Sequence, residues 1–137
     1  MDEPLNLVLF SGTDDKLQAA AVLTAGAAAL GKPVNVFLQY WALDAFRADR
    51  IEADHGLVAE AGEEGRRAVQ ALRAAGQASW AETLRQAKDL GGVDIQACSL
   101  SMDLLHLEPT DLDSLVDGVE GVTAFYLNAG EGQVVFI

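Results

Sequence analysis

Leu5-Asn6-Leu7-Val8-Leu9-Phe10 is the stretch whose reading decides the fold. It is short, apolar and near-continuous, the pattern of a strand buried on both faces of a parallel sheet. Ser11-Gly12-Thr13-Asp14-Asp15 follows as a turn, and Asp15 with Gln18, three positions on, has the spacing of a helix-starting capping box. From about Lys16 to Leu30 the chain is rich in alanine (Ala19-Ala20-Ala21 and Ala27-Ala28-Ala29), whose small side chains let a helix lie close on a sheet. Gly31 suits the helix C-cap, and Pro33 prevents continuation. Val34-Asn35-Val36-Phe37-Leu38 reads as the second strand. Strand, helix and strand within about 35 residues make a βαβ unit, which implies parallel strands.

The rest of the chain extends this pattern. Gln39-Tyr40-Trp41 marks the end of the second strand, where two adjacent aromatics either wall a pocket or cap the core. Leu43 to Gly76 is less legible. Ala61, Gly65, Ala68, Val69 and Leu72 share one helical face, and Glu63 and Arg67 have i,i+4 ion-pair spacing. His55 lies alone in a polar stretch and reads as surface. Ser79-Trp80-Ala81-Glu82 is a capping box; the helix it starts is expected to bury Trp80, Leu84, Ala87 and Leu90 and to stop at Gly91-Gly92. Val93 to Cys98 is a third strand. Pro109-Thr110-Asp111-Leu112 starts a short helix ending near Gly118. Gly121 to Leu127 reads as a fourth strand, and Gln133 to Ile137 as a terminal strand that pairs with it as an antiparallel hairpin. The expected architecture is a single domain over residues 1–137: α/β, a three-layer open sandwich around a mostly parallel five-stranded sheet.

Composition narrows the function. The formal charge of −12, from 21 acidic and 9 basic side chains, argues against binding nucleic acid or an anionic membrane surface through bulk electrostatics. No apolar run reaches the ~18 residues needed to span a bilayer, and the acidic opening Met1-Asp2-Glu3-Pro4 is unlike a signal peptide. A lone cysteine forms no internal disulfide, so the expected setting is cytoplasmic. No Gly-x-Gly-x-x-Gly, phosphate-binding Gly-Lys-Ser/Thr or Gly-x-Ser-x-Gly motif occurs, and His55, Cys98 and His106 lack metal-ligand spacing. Neither a metal nor a cofactor is therefore expected. Asp14-Asp15 after the first strand invites a receiver-domain reading, but Cys98 stands where the acceptor aspartate belongs and the required lysine is missing.

Cys98 remains as the chemical centre. It ends the third strand, and the helix-like run Ser99-Leu100-Ser101-Met102-Asp103-Leu104-Leu105 follows at once. Unpaired N–H groups where a strand hands over to a helix favour a thiolate, the nucleophilic form. The alternative is a small buried hydrophobe. In open parallel sheets chemistry gathers at the strands' carboxyl ends. Ser11 to Asp15, Gln39 to Trp41 and Cys98 to Ser101 all fall there. With no second thiol, the chemistry that fits is a one-thiol carrier, accepting sulfane sulfur as a persulfide and passing it on.

Ile95-Gln96-Ala97-Cys98-Ser99-Leu100-Ser101-Met102-Asp103-Leu104-Leu105 resembles the cysteine segment of the DsrE/DsrF-like sulfur-transfer family, whose nearest branch carries Ala-Cys-x-Met-Ser-Met-Asp. Leu100 replaces the methionine usual there, and His106 stands near a frequent glycine. Ser11-Gly12-Thr13-Asp14-Asp15, Val119-Glu120-Gly121-Val122-Thr123 and Val134-Val135-Phe136-Ile137 are also similar to the family. The resemblance implies an α/β domain that assembles into homo- or hetero-oligomers, a homo-oligomer being expected for this chain, with Cys98 carrying sulfur in relay with rhodanese-like or TusA-like proteins. On this reading Ser99 and Ser101 surround the sulfur, and Thr13, Asp14, Tyr40 and Trp41 line the entrance. A carboxylate beside a thiol disfavours the thiolate, so Asp14 is expected to turn toward its own helix. Two readings of another kind stay open: a non-catalytic oligomeric or small-ligand binding module, and a thiol redox sensor.

Overall fold

In the computed structural model, which describes residues 3–137, five strands form one sheet. They are β1 (Leu5–Leu9), β2 (Val34–Leu38), β3 (Val93–Cys98), β4 (Gly118–Glu120) and β5 (Val134–Phe136). Their spatial order is β4-β3-β2-β1-β5, and every pairing is parallel. The helices are α1 (Asp14–Ala29), α2 (Tyr40–Ala45), α3 (Gly62–Ala74), α4 (Trp80–Leu90), α5 (Ser99–Leu104) and α6 (Val122–Ala129). Met1 and Asp2 of the acidic opening lie outside the described residues. No helix among the described residues is long and apolar enough to cross a membrane.

Strand alternation sorts the side chains into two layers of core. Leu7, Leu9, Val34, Val36, Leu38, Ile95 and Ala97 are buried with Leu17, Ala20 and Ala21 of α1 and Trp80, Ala81 and Leu84 of α4. Phe37 and Cys98 project from the other face, where Phe125 of α6 covers them and Val8 packs alongside. The chain is thus a three-layer α/β sandwich. Its first face is broadly covered, whereas α6, only eight residues long, covers the second.

Local chemistry explains some of these helices. The alanines of α1 do what their size suggests: Ala20, Ala21 and Ala28 are buried against its neighbours. The expected Asp15–Gln18 box is not formed. Thr13 is the N-cap, and Asp15 instead accepts from the Lys16 N–H at 3.0 Å and the Val58 N–H at 3.3 Å. Ser79 does cap α4, its Oγ accepting from the Glu82 N–H at 3.1 Å. Trp80, Leu84 and Ala87 are buried as expected, but Leu90 is 62% exposed. Ten positions past Trp80, a helix turning ~100° per residue has rotated ~80° off that face.

The C-terminal part departs furthest from expectation. Residues 122–129 form α6, not a strand, and the fourth strand is the short Gly118–Glu120 just before it. The helix expected after Pro109 is a single 3-10 turn, Pro109–Asp111. Burial within α6 has helical period: Phe125 and Ala129, four apart, are buried, while Val122, Tyr126 and Leu127 are exposed. The β-branched and aromatic residues here favour a strand in isolation, but the second face of a parallel sheet needs a cover. With α6 as crossover, β5 lies parallel to β1 on the far side of the sheet instead of forming a hairpin.

Candidate functional site

Cys98 is the last residue of β3 and the N-cap of α5, with φ −70° and ψ 120°, so the chain leaves extended conformation at the thiol. The residue is 4% exposed. Phe37 and Phe125, stacked with ring centroids 4.9 Å apart, form the apolar wall beside it. Across the sheet the register partner of Cys98 is Glu120, so the two side chains leave adjacent strands on the same face. Burial, and then the negative charge of Asp94, push the Glu120 carboxyl above its ordinary value, while a hydrogen bond from Asn128 Nδ2 opposes them.

A carboxyl whose folded-state affinity for the proton is raised contributes stability below its unfolded value and loses it as pH rises through the folded value. Glu120→Gln is therefore expected to be the more stable protein at pH 7, by no more than about 0.5 kcal/mol because solvent screens this only partly buried group. The difference is expected to vanish below the reference value of 4.5. Urea unfolding midpoints measured between pH 4 and pH 7 check this.

Ser101 is fully buried, and its Oγ accepts from the Tyr40 N–H at 3.0 Å. That bond holds a strained residue: Tyr40 has φ +44°, in the left-handed region that costs a non-glycine residue about 1–3 kcal/mol. Its ring lies 5.1 Å from Phe10 and 6.0 Å from Trp41, and Phe10 lies 5.8 Å from Phe136. An aromatic row thus crosses the carboxyl ends of β5, β1 and β2. Ser99 is exposed, beside Gly121 at the start of α6. His106, just after α5, takes φ +54°, a left-handed conformation that glycine adopts more readily.

Cys98, Ser99, Ser101 and Tyr40 therefore lie together where β2 and β3 end. Thr13 and half-exposed Trp41 belong to a neighbouring crevice of about 410 Å³, shared with Ser11, Gly12 and His55. Thr13 Oγ1 lies 3.3 Å from Ser11 Oγ.

Asp14 is placed elsewhere. It is buried, and rather than turning to its own helix it accepts from Trp80 Nε1 at 2.9 Å, the His55 N–H at 3.0 Å and Arg73 at 2.9 Å. A buried carboxylate needs such donors, and α1 supplies none of them. His55 is likewise not a surface residue. It is half-buried with its ring 5.9 Å from Trp80, and its enclosed Nε2 has no hydrogen-bond partner among the described residues.

Sequence reasoning missed Glu120 and Phe125 as neighbours of the thiol. Alternation along β3 and β2 puts Cys98 and Phe37 on one face, but nothing local reveals which later segment covers them.

Comparison with known proteins fits this architecture. A family described as DsrE/DsrF/DrsH-like matches residues 1–63. The chain is 30% identical over 149 aligned residues to an uncharacterised protein, YrkE, of Bacillus subtilis (strain 168), covering 93% of this chain and 92% of that one. Two solved structures share the fold. The ychN protein from E. coli has a TM-score of 0.58 at 14% identity, with both chains fully covered. MTH1491 from Methanobacterium thermoautotrophicum, a protein of unknown function, has a TM-score of 0.53 at 15% identity, covering 99% of this chain and all of that one.

Proposed function

The chain belongs to the DsrE/DsrF/DrsH-like family, and from that premise we propose that it carries sulfane sulfur as a persulfide on Cys98. The observation that supports this most directly is the thiol's place: it ends an inner strand of a parallel sheet at the carboxyl edge, at the turn into α5. In the proposed step the Cys98 thiolate attacks the outer sulfur of a donor persulfide R–S–SH. The donor S–S bond breaks, R–S⁻ leaves and takes up a proton, and Cys98 holds the new S–S bond. An acceptor thiolate then attacks the outer sulfur and releases Cys98 as thiolate, so no oxidant or reductant is consumed.

Roles for the neighbours follow from their positions. Ser99, exposed beside the thiol, is proposed to meet the incoming donor. Ser101 acts at one remove, by fixing Tyr40. Thr13 and Trp41 border the adjoining crevice, and Asp14 is assigned no part in the transfer. Because Cys98 is 4% exposed, transfer requires α6 to shift. Gly121 and Gly130 flank that helix. Val122, Tyr126, Leu127, Val134 and Phe136 are exposed on or beside the second face. They suit docking of a second copy or of a rhodanese-like or TusA-like relay protein. A cytoplasmic setting, where thiols stay reduced, completes the proposal.

The burial of Cys98 also favours a second reading, a non-catalytic member in which the thiol is packing. Intact-protein mass after incubation with polysulfide, or thiosulfate plus a rhodanese, separates the two. The expected result is a dithiothreitol-reversible gain of one sulfur atom that Cys98→Ser lacks. No adduct on folded protein with an active donor would leave the packing reading. Faster reaction with peroxide than with sulfane sulfur would instead indicate a redox sensor.

A further inference from the structure

A second site lies away from Cys98. α3 has an apolar face but none of its residues is buried; Leu72 is 50% exposed. Helices of this kind normally bury that face against protein. Here Val69 and Leu72 look onto a cavity of about 490 Å³ whose other apolar walls are Ile51, Leu57 and Trp80. This volume falls within the ~300–1,000 Å³ of small-molecule sites, which are mostly apolar with a few polar groups.

The charged part of the lining is mostly acidic. Asp14, Asp15, Glu52 and Asp54 border the cavity, against Arg73 as its one basic residue. Arg73 is already held by Asp14 at 2.9 Å, and Glu52 pairs with Arg85 at 3.3 Å. Asp15 and Asp54 make no ion pair among the described residues. The Gly56 N–H, with a smaller contribution from the charge of Arg73, holds the Asp54 carboxyl below its ordinary value, so it stays ionised at neutral pH. An anion entering here would meet uncompensated negative charge, and a neutral apolar molecule would leave it unused.

We propose that the cavity beneath α3 binds a small amphiphilic amine, its apolar body between Leu72, Val69 and Trp80 and its ammonium group toward Asp15 and Asp54. The site is independent of the sulfur chemistry at Cys98.

Three probes of one shape test this by calorimetry: 3-phenylpropylammonium, 3-phenylpropanol and 3-phenylpropanoate. The ammonium is expected to bind saturably and about tenfold more tightly than the carboxylate. Leu72→Lys, at a half-exposed position where folding is checked by circular dichroism, is expected to abolish that binding. Asp15→Asn is expected to weaken the ammonium about threefold while leaving the alcohol unchanged. Binding of the carboxylate as tight as the ammonium, ammonium binding that survives Leu72→Lys, an Asp15→Asn variant that weakens both probes alike, or no saturable binding at millimolar ammonium would each overturn the proposal.

Discussion

Phe125→Ala is expected to lower the unfolding free energy by about 3–5 kcal/mol and to raise the alkylation rate of Cys98 by more than about tenfold. Phe125 is 1% exposed and stacks on Phe37 directly over the thiol. Truncation removes the one large buried side chain of α6, whose other buried residue is Ala129, and leaves a cavity beneath the helix. The two consequences are read separately. Denaturant unfolding gives the stability. Iodoacetamide labelling in native buffer, corrected for the globally unfolded fraction, gives access to sulfur. A large stability loss with an unchanged corrected rate would show that α6 does not gate the thiol.

Gly12→Ala is expected to cost about 3 kcal/mol or more, enough to be seen as a fall in thermal midpoint of more than about 10 °C. A Cβ at residue 12 would collide with the Trp41 carbonyl oxygen and come within 2.8 Å of its carbon. Both belong to backbone. Neither can rotate away, so the turn after β1 or the start of α2 must move. That start carries Tyr40, whose N–H bonds to Ser101, so the shift would also reach the residues around Cys98. Thermal unfolding checks the first effect, and the labelling rate of Cys98 the second. A midpoint within a few degrees of the parent would mean that the two backbones part freely.

The βαβ start and the strand ending at Cys98 were legible because their signals are local. Continuous apolar runs, alanine spacing, the Gly31 and Pro33 stop and the Ser79 cap act within one element, and each matches an element in the structure. The terminal strand was legible too, but the helix at Val122–Ala129 and the strand's parallel pairing with β1 were not, because the decision there is tertiary. Val122, Phe125, Tyr126 and Leu127 satisfy strand composition, and only the uncovered face above Phe37 and Cys98 selects a helix. Asp14 failed for the same reason. Its partners Trp80, Arg73 and His55 lie 41 to 66 positions away, so its local context suggested a cap. For the candidate site, the cluster at the strand ends was readable from topology. The depth of the thiol beneath α6 was not.

The order of strands also constrains how the molecule is made. β1 is an inner strand of the finished sheet, yet its outer neighbour is the last strand in sequence; Asn6 Nδ2 bonds to the Gln133 carbonyl across 127 positions. A nascent chain can pair β1 through β4 while Leu5–Leu9 still presents an open, largely apolar edge to whatever meets it. Such edges recruit strands from other chains. Closure depends on one strand pairing of very long range, β1 with β5, which is entropically slow to find. The addition of β5 is therefore also what protects the first strand, and chains stalled before β5 are the species that a chaperone would have to shield.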